Sequence, residues 1–100
     1  MVTFRAADVD SIEMKVGENI TFESLRQAVV PPYVLIKPFI ELPPFVSFIS
    51  QTGLDEDGIH GAKFMLRANT KGEGTLRVGF QDVKTEKVLI EKSIRVKAQN

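Results

Sequence analysis

The sequence predicts an all-β fold, an immunoglobulin-like antiparallel two-sheet sandwich of about seven strands, formed by one domain over residues 1–100. Apolar and polar residues alternate through most of the chain, the pattern of strands with one buried face. Short strands separated by glycine- or proline-marked turns recur about every ten residues. With 43% apolar residues, the chain can fill one core. A small barrel is the alternative architecture.

The first strands follow from the alternation at the N-terminus. Ile12 and Met14 are spaced to point towards a core, and Gly17 marks a turn. Ile20 and Phe22 then resume the alternation. These residues predict two strands joined at Gly17.

The middle of the chain is less regular. Residues 23–28 have a helix-like composition, long enough for one turn at most. Residues 29–49 contain all five prolines among dense apolar residues. Because proline cannot donate to a ladder, this stretch is expected to be edge strand, bulge or connection, with residues 33–36 and 45–49 paired. Apolar residues that the sandwich leaves uncovered here would mark a partner surface.

Three further strands are predicted after residue 60. Residues 63–67 and 75–80 alternate cleanly, and the polar turn at 69–74 contains two glycines that can adopt positive φ. The last strand is long, and its predicted inward residues are Val88, Ile90, Ile94 and Val96.

Charge and length restrict the partners. Thirteen basic residues balance thirteen acidic ones, so the chain lacks the positive charge that nucleic acid or an anionic membrane requires. No apolar run approaches the roughly 18 residues of a membrane span. The first ten residues lack the layout of a signal peptide. The chain is expected to be cytoplasmic if its N-terminus is native and exported if a signal peptide was removed, so the compartment stays open.

The residue inventory argues against catalysis. Cysteine is absent and His60 is the only histidine, which excludes thiolate chemistry and histidine clusters. Asp55, Glu56, Asp57 and Gly58 suggest a calcium loop, but their spacing does not match one. These carboxylates are also adjacent rather than opposed across a cleft. We therefore predict no enzyme activity, no cofactor and no metal.

Recognition is expected at two places. The first is residues 51–61, interpreted as a polar loop that is mobile in the free protein. The second is the proline-rich stretch, whose backbone cannot be fully paired in its own sheet. The candidate binding residues are Asp55, Glu56, Asp57, Gly58, His60, Gly61, Pro31, Pro32 and Tyr33.

The order of elements resembles the chagasin family of cysteine-protease inhibitors, which are cysteine-free immunoglobulin-like sandwiches. The similarity lies in residues 12–22, with their strand, Gly-Glu turn and strand, in Gly58 and Gly61, and in the segments 64–68, 72–80 and 94–98. The resemblance implies the same fold and a wedge of three loops that fills a protease cleft.

Two of the three family loop motifs are absent from this chain. Residues 24–30 lack the Asn-Pro-Thr-Thr-Gly type motif, and residues 81–86 lack Arg-Pro followed by an aromatic residue. Only the middle loop, with Gly58 and Gly61, is comparable. The resemblance therefore implies weak or absent inhibition of papain-type enzymes.

The sequence thus predicts a non-enzymatic module that binds a protein partner through end loops or an edge strand. Two alternatives stay open. One is a chagasin-like inhibitor of papain-type cysteine proteases, and the other is a structural or assembly domain that forms homo-oligomers, a homodimer being the simplest.

Overall fold

The structure is a computed structural model that describes residues 2–27, 36–56 and 59–100. Its strands form two sheets of four, with orders β1-β3-β6-β5 and β2-β8-β7-β4. The strands are β1 (Val2–Arg5), β2 (Ser11–Lys15), β3 (Asn19–Gln27), β4 (Ile36–Glu41), β5 (Val46–Glu56), β6 (Ile59–Ala68), β7 (Gly72–Asp82) and β8 (Val88–Gln99). One 3-10 turn, Ala6–Asp8, separates β1 from β2. Within the described residues, no helix is long and apolar enough to cross a membrane.

The two-sheet sandwich confirms the predicted fold class, with two differences. The described residues form eight strands rather than about seven. The sheets are mixed rather than antiparallel, because β1 pairs with β3 and β2 pairs with β8 in parallel. The chain runs forward through β1, the 3-10 turn and β2 without a hairpin reversal. Each of these short strands therefore adds to the edge of a different sheet.

The core lies between the sheets and follows the period-two pattern. Ile12 and Met14 of β2 are buried, as are Ile20 and Phe22 of β3, as predicted. The remaining core consists of the alternate residues of β6, β7 and β8 together with Ala6 and Val46, and its members are Ala62, Phe64, Leu66, Ala68, Leu76, Val78, Ile94, Val96 and Ala98. Gly17, at φ 85°, makes the predicted turn, and this turn carries the chain from one sheet to the other.

The expectation that prolines lie at an edge or in a connection is confirmed at the three described positions. Pro38 belongs to β4, which is an edge strand of the described sheet and pairs with β7. Pro43 and Pro44 lie in the connection between β4 and β5. The predicted pairing of residues 45–49 is confirmed from Val46 onwards. Of residues 33–36, Ile36 opens β4, and the other three lie outside the described residues.

The glycines near the start of β7 serve packing rather than a turn. Gly72 and Gly74 belong to β7 itself, and neither has a positive φ. A Cβ on Gly72 would lie 2.7 Å from the Phe45 ring, and one on Gly74 would lie 2.8 Å from Pro43. The prediction of a hairpin at 69–74 is wrong, because β6 and β7 lie in different sheets.

Two local assignments are also wrong. Residues 23–27, predicted as a helical turn, continue β3 and pair with residues 59–63 of β6. Residues 51–56 and 59–61, predicted as part of a loop, extend β5 and β6, with residues 51–56 paired to residues 59–64 of β6. In both cases β6, paired on both sides, supplies ladder partners that outweigh local propensity.

Candidate functional site: the loop end and its two hairpins

The ends of six strands lie at one end of the sandwich. In the first sheet, Gln27 pairs with Ile59, which also pairs with Glu56. In the second sheet, Ile36 pairs with Asp82, and the neighbouring Gln81 pairs with Val88. We call this end, defined by Gln27, Ile36, Glu56, Ile59, Asp82 and Val88, the loop end.

The strands of the two sheets end at the same level because the sheets are tied together at the opposite end. There the backbone N–H of Val16 donates to the carbonyl of Gln99 at 3.0 Å. The N–H of Gly17 donates to the carbonyl of Ala68 at 2.9 Å. Gln99 and Ala68 end β8 and β6, which belong to different sheets. The last residues of β3, β5 and β7 and the first residues of β4, β6 and β8 therefore lie together at the loop end.

The connection from β7 to β8 is a built turn. The Asp82 carboxylate accepts hydrogen bonds from the backbone N–H groups of Lys84 at 2.7 Å and Thr85 at 3.0 Å. The N–H of Glu86 donates to the Asp82 carbonyl at 2.9 Å, and Glu86 takes the left-handed conformation with φ 61°. The N–H of Asp82 donates to the carbonyl of Lys87 at 2.9 Å. Asp82 thus organises the turn by the Asx-type bonding that its short carboxylate allows.

The same hydrogen bonds favour the charged form of Asp82. The backbone N–H of Thr85, followed by that of Lys84, lowers the pKa of the Asp82 carboxyl below its usual value. The positive charge of Lys84 acts in the same direction. Order in this turn is therefore coupled to ionisation of Asp82.

The return strand of this hairpin exposes apolar side chains. Val88, Leu89 and Ile90 are 39%, 43% and 47% exposed, and Val83 in the turn is 42% exposed. The prediction that Val88 and Ile90 belong to the core is wrong, whereas Ile94 and Val96 are buried as predicted. Although β8 has the core pattern throughout, the apolar side chains of its first part are exposed.

The hairpin of β5 and β6 carries part of the predicted binding set. Asp55 and Glu56 end β5, opposite His60 and Ile59 of β6. Asp55 and His60 are thus a cross-strand pair. These positions lie at the loop end, within strands rather than in the loop predicted from sequence. The exposed residues below them, Gln51, Thr52 and Gly53, are polar or small.

Gly61 has a structural explanation that the sequence did not supply. It pairs with Leu25 in β3, and a Cβ at this position would lie 2.0 Å from the Ser24 carbonyl oxygen. No L side chain fits at that distance, so the glycine lets β6 and β3 approach each other. The predicted binding residues Asp57, Gly58, Pro31, Pro32 and Tyr33 lie outside the described residues.

A shallow groove of about 480 Å³ lies along β2, β8 and β7, far from the loop end. Arg95 and Lys97 line it beside Glu13 and Glu73, and the Lys97 Nζ lies 4.0 Å from a Glu73 carboxylate oxygen. Opposite charges offset each other along this groove. Within residues 2–27, 36–56 and 59–100, no three His, Cys, Asp or Glu side chains are grouped to hold a metal ion.

Sequence reasoning missed the apolar part of the β7–β8 hairpin, although a signal was present. Val88, Leu89 and Ile90 are three consecutive apolar residues. A strand with one buried face buries only alternate side chains. Three consecutive apolar residues in a strand of this kind therefore indicate that at least one apolar side chain is exposed.

Comparison with known proteins shows the fold. No protein-family model matches the chain, and no curated protein matches it in sequence. The crystal structure of the cysteine protease inhibitor EhICP2 from Entamoeba histolytica superimposes with a TM-score of 0.72 at 15% identity, covering 98% of this chain and 94% of that one. The solution structure of Amebosin gives 0.69 at 11% identity, covering 99% of both chains. The resemblance to an inhibitor family is thereby confirmed at the level of the fold.

Proposed function

We propose that this protein inhibits papain-type cysteine proteases by inserting its loop end into the active-site cleft. The observation that carries the proposal is that β3, β5 and β7 end, and β4, β6 and β8 begin, at one end of the sandwich. Three neighbouring connections are the means by which a sandwich presents a wedge. EhICP2, which has the same fold, is a cysteine protease inhibitor.

The structural use of Asp82 supports binding rather than catalysis. The carboxylate of Asp82, with its lowered pKa, is used to order the turn. A turn that is ordered before binding loses less entropy when it enters a cleft. The missing loop motifs mean that other residues must supply the contacts, so the affinity is expected to be modest.

The test is inhibition of papain under steady-state conditions. The expected result is reversible competitive inhibition, because a loop end that fills the cleft excludes substrate. Papain whose active-site cysteine has been alkylated should bind less tightly, since the added group occupies the same cleft. A specific interface of this kind has a dissociation constant well below roughly 100 μM. Absence of inhibition at that protein concentration would overturn the proposal.

Self-association through β5 is a second candidate function, and the character of that edge favours it. β5 is an edge strand of eleven residues, and positions 46–54 carry no charge. The edge strand β4, by contrast, has Lys37, Pro38 and Glu41, residues that discourage pairing. The bulge between Phe48 and Ser50 interrupts β5 only once.

Sedimentation of the purified protein tests this second function. If β5 pairs with β5 of another copy, Thr52→Lys should convert a dimer into a monomer by placing two like charges at the edge. Thr75→Lys is the matched control, because Thr75 is exposed on β7, which is paired on both sides. A wild-type protein that is monomeric at roughly 1 mM, far above useful affinities, would rule it out.

A further inference from the structure

The described surface is unevenly apolar. Of the seven large apolar side chains exposed in the described residues, four lie between positions 83 and 90. They are Val83, Val88, Leu89 and Ile90. Isolated exposed apolar residues are ordinary, but a cluster of this kind indicates a contact surface.

The cluster covers both faces of the hairpin. Ile90 is opposite Phe80, and Val88 is opposite Gln81, with a bulge in β8 at Leu89. Because Phe80 and Gln81 are consecutive in β7, their partners Val88 and Ile90 lie on opposite faces of the ribbon. Ile90 lies on the inner face with buried Phe80 and is nevertheless 47% exposed. The hairpin therefore presents the exposed apolar side chain of Val88 on its outer face and the half-exposed side chain of Ile90 on its inner face, beside buried Phe80.

The edge of β8 is also open at this level. β2 pairs with β8 only from Arg95 to Gln99. In the part of the chain that the structure describes, residues 88–91 have β7 as their only strand neighbour. The β7–β8 hairpin thus has apolar side chains on two faces and an open strand edge. Only a partner that contacts both faces can cover these side chains. Such a partner surface is a groove rather than a flat surface.

We propose that Val88, Leu89 and Ile90 form the penetrating edge of the inhibitor and contact apolar walls on both sides of the protease cleft. The inference rests on the proposed function, and it identifies the partner surface as a groove with two apolar walls. A protease cleft is the expected partner because the three residues follow the turn that Asp82 orders at the loop end, the end proposed to enter that cleft. Binding energy would then come from the return strand rather than from the turn itself.

The proposal is tested by measuring the inhibition constant for papain with the triple variant Val88→Thr, Leu89→Gln and Ile90→Thr. Threonine keeps the β-branch, so the strand is retained while apolar contact is lost. The inhibition constant is expected to rise about 30-fold, as for removal of a central apolar contact. A melting temperature within about 3 °C of the wild type, as expected for exposed positions, would show that the fold is intact.

Two control variants sharpen the result. Val2→Thr removes an apolar side chain that is 53% exposed at the opposite end of the sandwich, where Val2 pairs with Ile20. The double variant Gln51→Ala and Thr52→Ala alters the polar hairpin. Both controls are expected to change the inhibition constant less than about twofold, as for surface positions outside a hot spot.

The outcomes separate the inference from the proposed function. If the wild type inhibits papain and the triple variant does so equally well, the inference is overturned and the proposed function stands. If the wild type does not inhibit papain, both fall. The triple variant could also abolish self-association, measured by sedimentation, and leave inhibition unchanged. Val88, Leu89 and Ile90 would then form an interface between copies of this chain, which also overturns the inference.

Discussion

The β5–β6 and β7–β8 hairpins both reach the loop end, and they differ in what they expose there. Towards the loop end β5 exposes Gln51, Thr52 and Gly53, while its apolar residues Phe48 and Ile49 are exposed farther from that end. The return strand β8 exposes Val88, Leu89 and Ile90. Each hairpin is braced by a neighbour, since β3 pairs with β6 up to Ile59 and β4 pairs with β7 up to Asp82. Because both hairpins are supported as far as the loop end, we interpret the difference in surface as a difference in role. The apolar hairpin loses unfavourable hydration on binding, whereas the polar one gains little.

The hairpins also differ in how a glycine ties them to the sandwich. Gly61 lets β6 approach β3, since its Cβ would meet the Ser24 carbonyl. Gly79 lets β7 approach β8 within its own hairpin, since its Cβ would lie 1.9 Å from the Ile90 carbonyl oxygen. The polar hairpin is thus anchored to a neighbouring strand. In the apolar hairpin the close approach is internal, at Ile90, the last of the exposed residues Val88, Leu89 and Ile90.

The largest expected effect tests this anchoring. Gly61→Ala and Gly79→Ala are each expected to lower the free energy of unfolding by about 3 kcal/mol, because the new methyl group forces two paired strands apart. Urea denaturation gives the value. Gly53→Ala in β5 is the matched control, since its Cβ meets no atom within 4 Å, and it is expected to change stability by less than about 0.5 kcal/mol. Equal stability of all three variants would contradict the anchoring role.

Gly61 illustrates where sequence reasoning stops. Its position among polar and glycine residues indicated a loop, and the chagasin-like pattern assigned it to recognition. The close approach of β3, which makes glycine necessary, depends on a partner 37 positions earlier in the chain, Ser24. Alternation within one segment predicted the buried faces of β2, β3 and β6 because those faces are local properties. It could not predict which strands pair, and hence how far β5 and β6 extend.

The loop end could be predicted only in part for the same reason. That the binding residues would lie in connections was a local inference from prolines, glycines and charges. That the first apolar residues of β8 are exposed depends on tertiary contacts, which the alternation within one segment does not contain. Ile94 and Ile90 have the same pattern in sequence, yet only Ile94 is covered.

A second prediction concerns Lys92, which lies between the buried and the exposed parts of β8. Its Nζ donates to the Ala6 carbonyl at 2.8 Å and lies 3.5 Å from an Asp10 carboxylate oxygen. This contact ties the segment between β1 and β2 to the base of the apolar hairpin. Lys92→Met keeps the aliphatic stem and is expected to cost about 1 kcal/mol of unfolding free energy, the value of one such hydrogen bond.

The control for Lys92 is Lys97→Met, on the same strand. Lys97 is exposed and its partner Glu73 is 4.0 Å away, so its loss is expected to cost less than about 0.5 kcal/mol. Urea denaturation measures both variants. Equal losses of unfolding free energy in the two variants would mean that the Ala6 contact does not hold the base of the apolar hairpin. The pairing of β4 with β7 would then be what positions that hairpin.

The smallest expected effect is the pH dependence of the β7–β8 turn. Because the backbone N–H groups of Thr85 and Lys84 lower the pKa of Asp82 in the folded protein, the carboxylate stabilises the turn at every pH above its unfolded pKa of about 3.9. That contribution is lost as the pH falls through the lower folded pKa. The amide proton shifts of Lys84 and Thr85, followed by NMR from pH 7 downwards, should titrate with a midpoint below that of an unfolded aspartate. Asp82→Asn should remove the titration while keeping an oxygen acceptor, and Asp10→Asn should leave it unchanged. A midpoint at or above the unfolded value would mean that the turn does not depend on the carboxylate, and the apolar strand alone would then define the hairpin.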